Sequence, residues 1–249
     1  FPIVDLSDLP DDERDEEMRS RIQTEAQTPF DLADDALLRV QLLRLGEAEH
    51  LLLLTMHHIV SDAWSLQVLI REVTELYSAL LRGKPSPLPP LPVQYADYAV
   101  WQRRYLEGEI LDQQLAYWKT QLSDVPRSLE LPTDRPRPAI QTYRGRSVQL
   151  ELSAELASAL QQLSRRSEAT LFMTFLASFS VLLSRLSGQQ TVVVGSPIAG
   201  RNRREVESLI GFFISTLALP IDLSGAKTFL QLLACVREVT LGAYAHQDV

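Results

Sequence analysis

The sequence is most tightly constrained where a short apolar run meets two histidines and then a helical pattern. Leu51 to Met56 form an apolar run with the length of a buried strand. The residues that follow, from His57 to Ser65, read HHIVSDAWS. After them, apolar residues recur at steps of three and four, at Leu66, Leu69, Ile70, Val73, Leu76, Tyr77 and Leu80. The pattern predicts a strand, a turn carrying both histidines and a helix, and strand ends often hold catalytic side chains.

The two histidines and a nearby aspartate give this turn its chemical interest. One histidine at a strand end is more often structural than catalytic, but two adjacent histidines followed by Asp62 favour a functional turn. Neighbouring strand residues point to opposite faces of a sheet, so only one of His57 and His58 can face a given cleft. The other packs or hydrogen-bonds behind it. Asp62 can cap the following helix or hold an arginine, and either contact would fix the turn.

Composition and charge narrow the class of protein. The chain has 249 residues, of which 45% are hydrophobic and 22% are charged, as in an ordinary globular protein with a sizeable core. The net charge of -8 argues against nucleic acid as the main partner, although Arg201, Arg203 and Arg204 form a small basic cluster. The sequence shows no apolar run long enough for a bilayer and no signal peptide. We therefore expect a cytoplasmic protein without a membrane partner.

The cysteine and histidine content predicts no metal centre. Cys235 is the only cysteine, which excludes an internal disulfide. Its neighbours, such as Leu232 and Val236, are apolar, so we expect a small core residue and not a nucleophile. The adjacent His57 and His58 cannot easily reach one ion, and no other cluster of ligands is visible.

Strands and helices alternate along the chain, which predicts an α/β or α+β fold. Strands are predicted within residues 1–10 and over 37–45, 51–56, 147–152, 191–194 and 212–223, with a hairpin turn at 47–50 and a loop over 195–201. Helices are predicted over 11–27, from 66 to about 81, over 95–122 as one or two, after the N-cap residues Ser153 and Thr170, and from Thr228 to about Tyr244. Gly188 is expected to end the helix that follows Thr170. Proline-rich connectors are predicted over 83–92 and 123–143, and the second separates a lobe at 1–122 from one at 123–249.

Several motifs together point to one family. HHIVSDAWS resembles the HHxxxDG motif of condensation domains from nonribosomal peptide synthetases, and its HxxxD core is shared with chloramphenicol acetyltransferase and other acyltransferases. YADYAVWQ (95–102) is similar to the family's YxDFAVWQ, IGFFISTLALP (210–220) to IGxFVNTLxLR, and HQDV (246–249) to the start of HQDxPFE. LPTDRPRP and SPIAGRNRREVESLIGFF extend the resemblance to nearly the whole chain. Other family motifs are missing, so we expect a central fragment of a longer domain, incomplete at both ends.

This resemblance implies a two-lobed, chloramphenicol acetyltransferase-like fold and an acyltransferase that forms an amide bond. The donor would be an acyl or peptidyl thioester and the acceptor the amine of an aminoacyl thioester. Each would be held on the phosphopantetheine arm of a carrier protein, with no cofactor bound directly by the chain. The implied partners are upstream and downstream carrier proteins and an adjoining adenylation domain, with the chain monomeric inside a multidomain protein.

The resemblance also assigns catalytic roles within the turn. His58 would face the tunnel between the lobes and accept the amine's proton or stabilise the charged intermediate, with His57 as its support. Asp62 would be structural, with an arginine partner in an N-terminal part that the sequence lacks, so that Asp62 would be unpaired. The N–H of Ala63 would stabilise the oxyanion at a helix N-terminus. The family usually has glycine there, and activity should fall if a positive φ or close substrate approach requires it.

Two further residues are expected to contact substrate, and two other functions stay open. Trp64 and Ser215 are the predicted substrate contacts, although Ser215 stands where the family usually has asparagine. The first alternative is an HxxxD acyltransferase that uses coenzyme A, against which YADYAVWQ and HQDV argue. The second is a condensation-like module that only recruits a partner, an option that Ala63 and Ser215 leave open. The motif itself favours a peptide-bond-forming member that accepts an L-configured donor.

Overall fold

Contacts divide the chain into two compact units. The structure is a computed structural model and describes residues 1–136, 138–142, 145–226 and 228–249. The first unit contains residues 1–100 and 201–214, and the second contains residues 101–200 and 215–249. This division differs from the predicted lobes at 1–122 and 123–249, and those lobes stay a prediction. The predicted connector over 123–143 lies partly outside the described residues.

In its described part, the first unit contains a three-stranded sheet in the order β1-β2-β3. β1 (Ile3–Asp5) pairs in parallel with β2 (Leu38–Arg44), and β2 pairs antiparallel with β3 (His50–Met56). The predicted hairpin between β2 and β3 is confirmed, but His50 belongs to the strand, where it pairs with Arg44. Leu43 is fully buried on this sheet. β3 therefore delivers the two histidines at its C-terminal end.

The helices of the first unit follow the sequence pattern closely. The solvated helix α1 (Asp11–Gln27) begins with acidic residues, which the helix dipole favours at that end. A short 3-10 helix (His58–Val60) connects β3 to α2 (Ala63–Leu81). The next helix, α3 (Tyr95–Tyr105), begins in the first unit and ends in the second. A second 3-10 helix (Arg204–Val206) lies in the segment that returns to the first unit.

The second unit packs helices on a pair of strands. Its elements are α4 (Gly108–Gln121), α5 (Ala154–Arg166), α6 (Leu171–Ser187), β4 (Thr191–Ile198), β5 (Ser215–Asp222) and α7 (Phe229–Ala245). The predicted caps Ser153 and Thr170 each accept a backbone N–H, and so does Thr228 at the start of α7. Gly188 ends α6 in the left-handed conformation. β4 and β5 are antiparallel. Leu219 and Ile221 of β5 are fully buried in the core that these elements share.

One predicted strand and two predicted strand boundaries are wrong, and tertiary contacts explain each difference. Residues 147–152 form no strand, and Val148 is 93% exposed, because no described strand pairs with this segment. β4 extends to Ile198, so the loop predicted from residue 195 begins later, because β5 supplies a partner along that length. β5 starts at Ser215 and not at residue 212, because the N–H of Phe213 is already bonded to Asp62 in the first unit.

No single helix among the described residues is both long and apolar enough to span a membrane, whereas α5 and α6, bent by 103°, satisfy these two criteria as a pair.

Candidate active site

The chain turns after β3, and a backbone hydrogen bond within this turn holds the ring of His57. The N–H of Ile59 donates to Nδ1 of His57 at 3.1 Å. A nitrogen that accepts a hydrogen bond carries no proton, so the proton of the neutral His57 ring is on Nε2. The ring also meets Phe30 edge to face, with centroids 5.6 Å apart. His57 is therefore held by the turn's own backbone and by Phe30, and its role as a support for His58 stays a prediction.

The ring of His58 is also held by a hydrogen bond at Nδ1, but here Nδ1 faces a carbonyl oxygen instead of an N–H. Its Nδ1 lies 2.6 Å from the carbonyl oxygen of Ser61. A carbonyl oxygen can only accept, so Nδ1 of His58 carries the proton and Nε2 of the neutral ring has a free lone pair. His58 is exposed, whereas His57 is half-buried. The two adjacent histidines thus have opposite tautomers, and Nε2 of His58 is the nitrogen able to accept a proton.

Asp62 ends the turn as a buried carboxylate at the N-terminus of α2. Its Oδ1 accepts the N–H of Ser65 at 2.8 Å, which is the predicted N-cap bond, and its Oδ2 accepts the N–H of Phe213 at 3.0 Å. Burial alone would raise the pKa of Asp62. The hydrogen bonds from Ser65 and Phe213 and the charge of Arg201 outweigh burial and lower the pKa below 3.8. The carboxylate is therefore ionised at neutral pH.

Arg201 is the ionic partner of Asp62. Its Nη2 lies 3.2 Å from Asp62 Oδ1, and both side chains are buried. Its Nη1 donates to the carbonyl oxygens of Val206 and Leu209 at 2.6 and 2.8 Å, and its guanidinium lies 3.9 Å from the ring centroid of Phe213. The prediction that Asp62 would be unpaired is therefore wrong. An ion pair needs proximity in space, and the fold supplies it from a segment that follows the motif instead of preceding it.

Ser65 joins these groups into a buried polar cluster, which we define as Asp62, Ser65, Arg201 and the main chain of residues 211–213. The hydroxyl of Ser65 accepts from Arg201 Nη2 at 2.8 Å and from the N–H of Gly211 at 3.0 Å. Its own proton can go to Asp62 Oδ1 at 2.7 Å or to the carbonyl oxygen of Gly211 at 2.8 Å. The polar cluster therefore ties the start of α2 to the segment before β5.

Close packing around Gly211 explains why this position has no side chain. A Cβ at residue 211 would overlap the ring of Tyr95 and would touch the ring of Phe213. The hydroxyl of Tyr95 donates to the carbonyl oxygen of Phe212 at 2.7 Å. Burial raises the pKa of Tyr95 above 10.0, so this hydroxyl keeps its proton at neutral pH. Tyr95 therefore holds the segment 211–213 by a further hydrogen bond, in addition to those that Asp62 and Ser65 accept.

Ala63 and Trp64 occupy the exposed first turn of α2. Ala63 has a helical backbone, and the only non-glycine residue with a positive φ in the described part of the chain is Glu168. Glycine is therefore not needed at position 63 for its backbone conformation. The indole N–H of Trp64 donates to the carbonyl oxygen of Glu207 at 2.8 Å. Trp64 is 41% exposed, which leaves apolar surface available beside the turn.

The structure places the remaining predicted site residue, Ser215, in the second unit. Ser215 is the first residue of β5 and pairs in register with Ile198 of β4. Its role as a substrate contact stays a prediction. Cys235, in α7, is half-buried, and burial raises the pKa of its thiol, as expected for a packing residue. The described residues contain no group of three or more metal-ligating side chains.

The comparison with known families decides the identity of this architecture. A model of the family described as "Condensation domain" matches residues 1–249. The chain belongs to the condensation-domain family. This match confirms the predicted family. The predicted mixed class of helices and strands is confirmed by the elements described above.

Relatives and solved structures agree with this condensation-domain assignment. A linear gramicidin synthase protein of Brevibacillus parabrevis is 53% identical over 247 residues, which are 99% of this chain and 5% of that protein. The X-domain from teicoplanin biosynthesis, solved in complex with OxyB, has a TM-score of 0.89 at 30% identity and covers 99% of this chain and 54% of the other. The first condensation domain of the calcium-dependent antibiotic synthetase, in complex with a substrate analogue, has a TM-score of 0.76 at 25% identity, with coverages of 100% and 57%. The chain thus spans a small part of this gramicidin synthase and about half of each solved chain.

In this condensation-domain chain, sequence reasoning missed Arg201, Ser65 and Phe213 as residues that build the site. Arg201 was noticed only as part of a basic cluster, yet it is buried while Arg204 is exposed. The available signal was the SPIAGR stretch, in which one arginine follows a tight Ala-Gly pair. Ser65 sits three residues after the N-cap aspartate, where a small hydroxyl side chain fits against another segment. Nothing in the local sequence of Phe213 distinguishes it from an ordinary core aromatic residue.

Proposed function

We propose that the protein containing this chain forms an amide bond between a donor acyl or peptidyl thioester and the amine of an acceptor aminoacyl thioester. Both substrates arrive on phosphopantetheine arms of carrier proteins, and the chain binds no cofactor of its own. The observation that carries this proposal is the contact between His58 Nδ1 and the Ser61 carbonyl oxygen at 2.6 Å. That contact leaves Nε2 as a proton acceptor on an exposed residue of the turn that precedes α2.

The reaction needs one proton acceptor, which His58 supplies. The acceptor amine attacks the thioester carbonyl carbon, and the new C–N bond gives an intermediate with a positive nitrogen and a negative oxygen. Nε2 of His58 takes the proton from that nitrogen. When the intermediate collapses, the C–S bond breaks and the proton passes from the imidazolium to the leaving sulfur. General acid–base catalysis of this kind contributes roughly 10²- to 10⁴-fold in rate.

The other predicted site residues act around this proton transfer. The N–H of Ala63, at the first position of α2, is the donor proposed for the oxyanion, because helix N-termini present free N–H groups. No described backbone carbonyl accepts a hydrogen bond from the N–H of Ala63. Trp64 and Ser215 are proposed to contact the substrate arms. Asp62 fixes the start of α2 through the polar cluster, and His57 supports the turn from behind.

The proposed setting is a multidomain synthetase in the cytoplasm. Upstream and downstream carrier proteins would deliver the substrates, and an adenylation domain would adjoin the chain, which would be monomeric within the larger protein. Residues 1–122 and 123–249 would contribute to its two lobes. Support comes from the relatives, since the gramicidin synthase protein matches over 99% of this chain while the match fills only 5% of that protein.

A single-turnover assay on the full-length protein tests the proposed reaction. A donor carrier loaded with an acyl group and an acceptor carrier loaded with an amino acid are mixed with the protein, and mass spectrometry follows movement of the acyl group to the amine. His58→Ala is expected to lower the transfer rate about 100-fold or more. The matched control is His50→Ala, which removes an exposed histidine of the same unit and is expected to change the rate by less than about twofold. Equal rates in both variants would contradict the role of His58.

A second candidate function is recruitment of a partner protein without chemistry. The observation that favours it is the TM-score of 0.89 to the X-domain, which was solved in complex with OxyB. The same assay separates the two functions. Carriers that bind the wild-type protein without any acyl transfer would support recruitment, and transfer from acyl-coenzyme A in place of the donor carrier would instead support a coenzyme A-dependent acyltransferase.

A further inference from the structure

The ring of His58 has a second contact besides its hydrogen bond to Ser61. The ring of Phe212 meets it nearly at right angles, with centroids 5.4 Å apart and an interplanar angle of 81°. Phe212 is itself 39% exposed, so it is not simply a core residue. It comes from the segment before β5, far from the histidine motif in sequence. The contact therefore links the proposed proton acceptor to a distant part of the chain.

A single hydrogen bond does not orient an imidazole ring. The bond from Nδ1 to the Ser61 carbonyl oxygen fixes one edge of the His58 ring, but the ring can still tilt about that point. A perpendicular aromatic contact has a preferred geometry, because the positive edge of one ring meets the negative face of the other. Phe212 therefore restricts the tilt that the hydrogen bond leaves free. The direction of the Nε2 lone pair depends on that tilt.

The backbone of Phe212 is held firmly enough to serve this purpose. Its carbonyl oxygen accepts the Tyr95 hydroxyl at 2.7 Å. On one side of it, the N–H of Gly211 donates to Ser65 Oγ at 3.0 Å, and on the other the N–H of Phe213 donates to Asp62 Oδ2 at 3.0 Å. Ser65 and Asp62 follow directly after the turn that contains Ser61. The two contacts of the His58 ring are thus anchored to the same polar cluster.

We propose that Phe212 is a positioning residue that aims Nε2 of His58 at the acceptor amine. This inference rests on the proposed function of His58 and extends it to a residue that only touches the imidazole. Misdirection of a reacting group raises the barrier to the chemical step and leaves ground-state binding unchanged. Phe212 therefore acts on kcat and not on KM. Its effect exists only while His58 is present to be positioned.

Steady-state kinetics of the full-length protein with loaded carriers test this proposal. Phe212→Ala is expected to lower kcat about tenfold, with KM changed by less than about twofold. Phe212→Tyr keeps an aromatic edge and should restore kcat, whereas Phe212→Leu keeps bulk without the ring and should restore only part of it. The matched control is Tyr77→Ala on α2, which removes another exposed aromatic side chain of the same unit. It is expected to leave kcat unchanged.

A double-variant cycle separates positioning from general stability. In the His58→Ala background, adding Phe212→Ala should cause no further loss of rate, because the group that Phe212 orients is gone. Three results would each overturn the inference while leaving His58 in its role. The first is an additive further loss of rate in the double variant, and the second is a rise in KM at constant kcat in Phe212→Ala. The third is a Phe212→Ala rate equal to that of Tyr77→Ala. Wild-type rates in His58→Ala would refute the proposed role of His58 and the inference together. Should Phe212→Ala fail to fold, the ratio of kcat between Phe212→Tyr and Phe212→Leu decides, and equal values would overturn the proposal.

Discussion

Replacing Arg201 with methionine should open the segment 201–213 locally. Arg201 donates four hydrogen bonds within and beside the polar cluster, and its side chain is only 1% exposed. Methionine keeps much of its length and apolar bulk, so the change removes mainly the charge and the donors. The substitution therefore asks whether this buried arginine is what holds the returning segment against the start of α2.

The expected cost follows from the acceptors that lose a donor. The buried carbonyl oxygens of Val206 and Leu209 each lose the bond from Nη1, and an unsatisfied buried acceptor costs about 1–3 kcal/mol. Asp62 loses one of its partners but keeps the N–H and hydroxyl of Ser65 and the N–H of Phe213. Its own penalty is therefore reduced. The two carbonyl oxygens together give about 2–6 kcal/mol. We therefore expect about 3–5 kcal/mol, the usual cost of removing one member of a buried ion pair, which lies within that range.

Hydrogen exchange followed by mass spectrometry measures this local cost within the full-length protein. A loss of about 3–5 kcal/mol corresponds to a fall in amide protection of roughly 100- to 4,000-fold for peptides that cover 201–213, since about 1.4 kcal/mol is tenfold. The control is Arg204→Met, which removes an exposed arginine from the same segment and should cost less than about 0.5 kcal/mol. Protection of 201–213 that stays within about threefold of wild type in Arg201→Met would refute the reasoning.

Three further predictions concern the same unit. The folded pKa of Asp62 lies below 3.8, so its stabilisation is complete above that value and is lost as the pH falls through the folded pKa. Exchange rates of 201–213, corrected for intrinsic pH dependence, should rise in acid for the wild type and show no such step in Asp62→Asn. Gly211→Ala should destabilise the segment 201–213 by about 1–3 kcal/mol in the exchange measurement, because the new Cβ overlaps Tyr95. Gly46→Ala is the control, since its Cβ meets only ordinary contacts, and it should be nearly neutral in hydrogen exchange. Ala63→Gly should weaken the start of α2 by about 0.5–1 kcal/mol. It should leave acyl transfer nearly unchanged, because Ala63 already has a helical backbone. A severalfold gain in the rate of acyl transfer would show instead that the methyl group obstructs the substrate.

Elements with strong local signals were predictable from the sequence. The bounds of α1 were predicted correctly, and the caps Ser153 and Thr170 begin the helices that they were expected to begin. A cap bond involves residues three apart, so its determinants are present in the local sequence. The strand that leads to the histidines was predictable for a similar reason, because it contains four consecutive leucines, Leu51 to Leu54, and ends just before a turn.

Features that depend on a partner distant in sequence could not be predicted in the same way. The alternation at 147–152 is compatible with a strand, but a strand exists only when another strand pairs with it. The start of β5 is set by Asp62, which takes the N–H of Phe213 away from the sheet. The tautomer of His58 depends on the position of one carbonyl oxygen, at Ser61, and residue types alone do not fix that position. The motif therefore identified the histidines, while only the fold could assign their proton positions.

The polar cluster explains why a turn so exposed can still hold precise geometry. His58 lies at the surface and gains little from burial, so its orientation has to come from its two neighbours, Ser61 and Phe212. Both are attached to the buried ion pair of Asp62 and Arg201, through the turn on one side and through residues 211–213 on the other. A buried ion pair is weak evidence for stability, because desolvation offsets much of its attraction. Its directional bonds do, however, specify one arrangement of two distant segments, and this specificity is what a proton acceptor on an exposed turn requires. Substitutions in the polar cluster should therefore reduce kcat even where the protein stays folded, by the same route as loss of Phe212.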